Sequence, residues 1–132
     1  MPLTDPIANM LTLIRNAVRA KHEKVDIPGS KLLLAIAEIL KAEGYVENYR
    51  VVKDATPQGI LRIYLRYIGK KSAILNLKRV SRPGLRVYTP ARKIPRVLRG
   101  KGISIITTSQ GLMTGENAKV SNLGGEVLCY IW

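Results

Sequence analysis

Ile103-Ser104-Ile105-Ile106-Thr107-Thr108-Ser109-Gln110-Gly111 is the stretch on which the second half of this chain turns. Residues 103–107 are rich in β-branched side chains and read as a strand. The residues that follow place hydroxyls and an amide at the strand tip. Just upstream, residues 92–101 carry Arg92, Lys93, Arg96, Arg99 and Lys101. Hydroxyls and backbone N–H groups bond sugar and base edges, while Arg and Lys attract phosphate. A strand tip of this kind beside concentrated positive charge suits a polar, anionic surface. The competing reading is an ordinary polar turn.

Outward from this strand the pattern stays mostly β. Residues 73–80 form a strand candidate, followed by Ser81-Arg82-Pro83-Gly84. Proline then glycine fits a type II turn, whose third position needs positive φ. Residues 85–88 read as a short strand. Pro95 discourages a long helix within residues 90–102. Thr114 or Gly115 starts a short helical turn that ends near Asn122, a residue tolerant of the left-handed conformation. Residues 126–132 close the chain as a strand with Val127, Cys129 and Ile131 on one face.

The first half reads α-β-α-β-β. Asp5 before Pro6 is an N-cap followed by proline at the first helical position. Ile7, Met10, Leu11, Ile14 and Val18 then recur at helical spacing. Asn9, Thr12, Asn16 and Arg19 fall opposite, a face suited equally to solvent or to an RNA backbone. Residues 25–28 form a short strand. Ser30 caps a second helix over 31–43, with Leu32, Ala35, Ile36, Ile39 and Leu40 apolar and Leu34 nearly opposite. Gly44 supplies the positive φ that ends it. Residues 45–52 and 60–67 are strands, the second alternating Leu61, Ile63, Leu65 and Tyr67 with polar or mixed positions.

At 132 residues the chain fits one domain or two small modules, with 46% hydrophobic residues to build a core. Residues 68–72 read as a linker, dividing modules 1–68 and 69–132. Net charge is +13, and its placement is uneven. Residues 1–68 carry 10 Lys/Arg against 7 Asp/Glu, and residues 69–132 carry 12 against 2. Such a step suggests a footprint for nucleic acid or an anionic membrane, against the alternative of solubility charge. One cysteine, Cys129, and one histidine, His22, exclude an internal disulfide and leave no basis for a Cys/His zinc site. The N-terminal residues lack a signal-peptide pattern and no apolar run reaches membrane-helix length, so a cytoplasmic protein is expected.

Catalysis finds little support. Ser109 or Thr108 as nucleophile needs a base within reach, and His22 lies in a distant charged loop. A lysine base for Ser109 keeps a hydrolase formally open. Cys129 alternates with apolar residues and reads as a buried thiol. Glu116 and Glu126 are the only acids after residue 68. Glu116 suits the first turn of the short helix. Glu126 is odder, and reads as a solvated strand end, an acceptor for a base amino group, or a holder of an arginine. No glycine pattern matches a phosphate loop.

Several motifs together resemble one family. Arg99-Gly100-x-Gly102-Ile103, Thr107-Thr108-Ser109-Gln110-Gly111-x-Met113-Thr114 and Gly124-Gly125-Glu126-x-x-Cys129 are similar to the small-subunit ribosomal protein S8 family, bacterial type. So are Thr4-Asp5-Pro6-Ile7-Ala8-x-Met10-Leu11-x-x-Ile14-Arg15-Asn16-Ala17 and Ser81-Arg82-Pro83-Gly84-x-Arg86-x-Tyr88. The likeness runs in order over nearly the whole chain. It implies an α+β fold of two small α/β modules packed together, the second mostly β with a short helix. It also implies a structural constituent of the small subunit, not an enzyme, that binds the central domain of 16S rRNA and helps assemble the 30S subunit. Neighbouring ribosomal proteins are implied partners, with no cofactor, metal, membrane or small-molecule substrate, and a monomer when free. Organellar ribosomes would suit as well as cytoplasmic ones.

Carried onto this chain, the expected RNA-binding residues are Tyr88, Thr107, Thr108, Ser109, Gln110, Gly111, Gly124, Gly125 and Glu126. Arg86, Arg92 and Arg96 join them on charge and placement. Thr4, Asp5, Arg15, Asn16 and Lys31 would contribute from the first module. Four positions depart from the family pattern. Thr107 stands for serine, Gln110 for lysine, Gly115 for aspartate and Asn122 for glycine. The Gly115 departure implies a weaker cap on the short helix. A nucleic-acid-binding regulator outside the ribosome is the main alternative.

Overall fold

The fold is taken from a computed structural model that describes residues 5–132, apart from the side chains of Leu98 and Arg99. It is mixed α+β, as expected, and divides into two compact units. Residues 6–75 form one, and Asp5 with residues 76–132 forms the other.

The first unit follows the expected order: α1 (Pro6–Arg19), β1 (Lys24–Pro28), α2 (Lys31–Ala42), β2 (Val46–Val52) and β3 (Ile60–Leu65). The sheet order is β1-β3-β2 with antiparallel pairing throughout. β3 is central, and its alternation buries Leu61, Ile63 and Leu65 on the face toward the helices. Burial of each such side chain stabilises by about 1.5–3 kcal/mol. Helix α1 buries Ile7, Met10, Leu11 and Ile14, then Ala17. Val18 is only half-buried, because Ala17 lies one turn beyond Ile14 and carries the stripe.

Helix α2 needs a larger correction. Its buried stripe is Leu33, Ile36, Ala37 and Leu40, while Leu32 is exposed and Ala35 and Ile39 are half-buried. Ser30 caps the helix as expected, its Oγ accepting from the Leu33 N–H at 3.1 Å. Leu33 opens the i, i+3, i+4, i+7 series that the helix buries, one residue on from the expected start at Leu32. Gly44 ends it with φ 81°.

The expected linker is structured. β4 (Tyr67–Ile68) and β5 (Lys71–Ser72) form a hairpin around Gly69, whose φ of 64° permits the tight reversal. The Ala73 N–H donates to the Arg66 carbonyl at 2.9 Å, so the first unit continues to residue 75 rather than stopping at the charge step.

The second unit contains β6 (Leu77–Arg79), β7 (Tyr88–Thr89), β8 (Ile103–Thr108), β9 (Gly111–Thr114), α3 (Gly115–Val120) and β10 (Gly125–Ile131). The sheet runs β6-β10-β8-β9, with β7 pairing the beginning of β10. Of the expected 73–80 strand, Leu77–Arg79 form the regular ladder with β10, Asn76 and Val80 adding flanking bonds, and the 85–88 strand shifts to Tyr88–Thr89. Before it, Arg82 and Leu85 exchange two backbone hydrogen bonds of 3.0 Å around Pro83-Gly84. Gly84 lies outside the left-handed region, so this turn is not the type II form.

β9 was not foreseen. β10 also departs from simple alternation, because a bulge between Val127 and Cys129 pairs Val127 with Ile106 but Cys129 with Ile105. Successive β8 residues face opposite ways, so Val127 lies on the opposite face from Cys129 and Ile131. Val127 instead joins Ile94, Ile106 and Ala118 in one buried cluster.

Helix α3 keeps a sound cap despite the glycine. Thr114 Oγ1 accepts from the Asn117 N–H at 3.2 Å, and Asn122 takes φ 55° after the helix. Gly115 is itself buried, and a Cβ there would run into Ser104 Oγ and come within 2.9 Å of Ile94 Cγ2. It is a packing residue.

Candidate nucleic-acid interface

Strand pairing in the second unit gathers residues far apart in sequence. Glu126 on β10 lies opposite Tyr88 on β7 and opposite Thr107 on β8. Directly opposed residues in a sheet share a face, so Tyr88, Glu126 and Thr107 form one row across three strands. Tyr88 is 71% exposed, which leaves its ring available for stacking. A rigid strand row ending in an exposed aromatic offers both hydrogen bonds and a π-face to an unstacked base.

The hydroxyl motif is the turn of the β8–β9 hairpin. Thr108 pairs with Gly111, leaving Ser109 and Gln110 exposed as the two loop residues. Gly111 holds φ 105°, a conformation that favours glycine. The three hydroxyls then separate by role. Thr108 Oγ1 donates to the Gly111 carbonyl at 2.8 Å and accepts from the Gln110 N–H at 3.1 Å, so it builds the turn. Thr107 and Ser109 have no hydroxyl partner among the described residues.

Glu126 sits in a short polar chain. The Ser81 hydroxyl donates to its Oε2, and Arg86 donates to the same oxygen at 3.1 Å. Ser81 is fully buried, and its Oγ also accepts from the Val87 N–H at 3.2 Å. Of the roles open to Glu126 in sequence, holding an arginine is therefore present. Ser81 was missed as a site residue. A serine beside a Pro-Gly turn carries no sign that its hydroxyl will be buried against a carboxylate 45 residues away.

Gly124 and Gly125 are where they are for steric reasons. A Cβ on Gly125 would run into the Thr107 carbonyl oxygen, and one on Gly124 would come within 2.5 Å of the Thr89 carbonyl oxygen. They let β7 and β8 close on β10, which brings Tyr88 and Thr107 to Glu126.

The basic segment forms two 3-10 turns, Ala91–Lys93 and Val97–Gly100, on either side of Pro95. Ala91, Ile94 and Val97 are buried while Arg92, Lys93 and Arg96 are exposed. The turns thus anchor on apolar residues and hold the cations out in solvent. Asp5 pairs with Arg79 at 3.1 Å, both side chains largely buried, and Arg79 also donates to the Leu128 carbonyl at 2.6 Å. Arg15 and Asn16 on α1, and Lys31 opening α2, belong to the other unit. Thr4 lies outside the described residues.

Cys129 is buried, and desolvation pushes its thiol up to about 12, with Arg79 acting weakly the other way. A neutral, enclosed thiol is no nucleophile. Among the described residues, no three His, Cys, Asp or Glu side chains come together to hold a metal, and no helix is long and apolar enough to cross a membrane.

Residues 5–132 match the family model described as Ribosomal protein S8. Over the full length of both chains, the sequence is 53% identical to the small ribosomal subunit protein uS8 of Geobacter sulfurreducens. The corresponding proteins of Syntrophomonas wolfei and Desulforamulus reducens are 53% and 54% identical, again over both full lengths.

Proposed function

The chain belongs to the Ribosomal protein S8 family, non-enzymatic constituents of the small ribosomal subunit, and from that premise we propose that it binds the central domain of 16S rRNA and helps assemble the 30S subunit. The observation that carries the reading is the row Tyr88–Glu126–Thr107, with Ser109 and Gln110 exposed beside it. A-form RNA hides its base edges in a deep, narrow groove, so selective recognition falls on bulged or splayed bases. An exposed ring, a carboxylate and a hydroxyl on a rigid sheet suit such a base. Arg92, Arg96 and Arg86 supply the salt-dependent attraction, which weakens by roughly 0.7–0.9 log units per phosphate contact for each tenfold rise in salt. Arg15, Asn16 and Lys31 meet adjoining RNA. The free protein is a monomer that works in cytoplasmic ribosomes beside neighbouring small-subunit proteins.

Titration of the protein against a folded central-domain fragment, an unrelated RNA duplex and a DNA duplex across a salt series tests this. The fragment should bind most tightly at every salt concentration, and its advantage should widen as salt rises. Equal affinity for all three would contradict the reading and favour a non-selective nucleic-acid binder.

A further inference from the structure

We propose that Ser81 is a positioning residue for RNA selectivity, aiming the Glu126 carboxylate at a hydrogen-bond donor on the RNA. This inference rests on the function proposed above. Glu126 is a carboxylate on a strongly basic unit, where repulsion of phosphate would make it a poor contact unless something else were sought. An ionised carboxylate only accepts, so its complement is an exocyclic amino group or a 2′-hydroxyl.

The geometry gives it a fixed orientation. Both contacts to the carboxylate, from Ser81 and Arg86, fall on Oε2, leaving Oε1 without a partner among the described residues. The Glu126 side chain is 15% exposed, enough to be reached but too enclosed to turn freely. Ser81 is fully buried and cannot touch RNA. It works from below through three bonds: its hydroxyl to Glu126, the Val87 N–H to its Oγ, and its own N–H to the Val127 carbonyl at 3.1 Å. The second holds the chain one residue before Tyr88, so one serine sets both the carboxylate and the approach of the ring. Arg86 neutralises Oε2 from the exposed side, which lowers the repulsion a nearby phosphate would feel. Specificity is then set by a side chain outside the contact surface, as in supporting shells around other rigid sites.

A double-mutant cycle in binding tests it, with affinities for the central-domain fragment and for the unrelated duplex expressed per folded protein. Ser81→Ala should lower affinity for the fragment about tenfold, the scale of a hydrogen bond to a charged group. Duplex affinity and the salt slope should stay unchanged. In a Glu126→Gln background the same change should cost less than about threefold, because the residue acts through the carboxylate. A purely structural serine would lower the melting temperature and leave binding of the folded fraction intact, which would overturn the inference. So would equal losses in the two backgrounds. Should Ser81→Ala not fold, the near-isosteric Ser81→Cys, a much weaker donor, enters the same cycle. Coupling to Glu126→Gln supports the proposal and additivity overturns it. If the wild-type chain does not prefer the fragment, the proposed function fails and this inference with it. Preference in the wild type with an additive cycle sinks the inference alone.

Discussion

Glycine decides much at the scale of single residues, and each important one fails differently when given a side chain. Gly125→Ala drives a methyl into the Thr107 carbonyl and must push β8 from β10, at a cost of about 1–3 kcal/mol. Gly84→Ala meets nothing within 4 Å and lies outside the left-handed region, so it should be neutral within about 0.5 kcal/mol. Urea unfolding of the two variants checks the contrast, and equal destabilisation would contradict it. Polar residues divide as sharply. Ser109→Ala should weaken binding to the central-domain fragment with the salt slope nearly unchanged, while Arg96→Ala should lower the slope by about one unit or slightly less. Slopes measured over a salt series decide, and the reverse pattern would mean the two roles are exchanged. Thr108→Ala acts earlier, by undoing the turn that presents Ser109.

Strands and helices fall where local rules put them when those rules are strong. Ser30, Gly44 and Asn122 mark helix ends by side-chain capping and positive φ, both local properties legible in sequence. The alternation of β3 was legible for the same reason. What sequence does not carry is partner-dependent. The hairpin β4–β5 and the strand β9 are short, and they exist because a neighbouring segment supplies their hydrogen bonds. The bulge in β10 is set by its register against β8, so the expected single face of Val127, Cys129 and Ile131 was not readable from spacing. The site shows the same division. Its exposed hydroxyls, ring and cations were legible as residue types, whereas their assembly into a row, and Ser81 beneath it, depend on strand order.

Burial of Cys129 in β10 makes a prediction at this scale. Desolvation raises the thiol to about 12, above the ordinary thiol range that the unfolded chain shows. The unfolded chain therefore loses its proton first. The stability this group contributes is full below the unfolded value and is lost as pH rises toward 12. Urea unfolding of wild type and Cys129→Ala at pH 8 and pH 10.5 should show the wild-type advantage narrowing by about 2 kcal/mol at the higher pH. An unchanged difference would contradict an enclosed thiol.

For the molecule as a whole, the unit boundary changes how its charge is understood. Counted at the structural boundary, residues 76–132 carry 10 Lys/Arg and residues 6–75 carry 12, because Lys70 and Lys71 belong to the first unit. Acidic residues number 6 in residues 6–75 but, beside Asp5, only 2 in residues 76–132, so the second unit is distinguished by having few acids rather than many cations. One of those two, Glu126, is partly neutralised by Arg86. On the proposed function, attraction to RNA is shared between the units, while the row on the second unit carries selectivity. Backbone amide shifts recorded by NMR as the central-domain fragment is added test that claim most directly. The account predicts the largest changes at Tyr88, Thr107, Ser109, Gln110 and Glu126, surviving a rise in salt that abolishes changes caused by an unrelated duplex. Changes confined to residues 92–101, with the row unmoved, would contradict it.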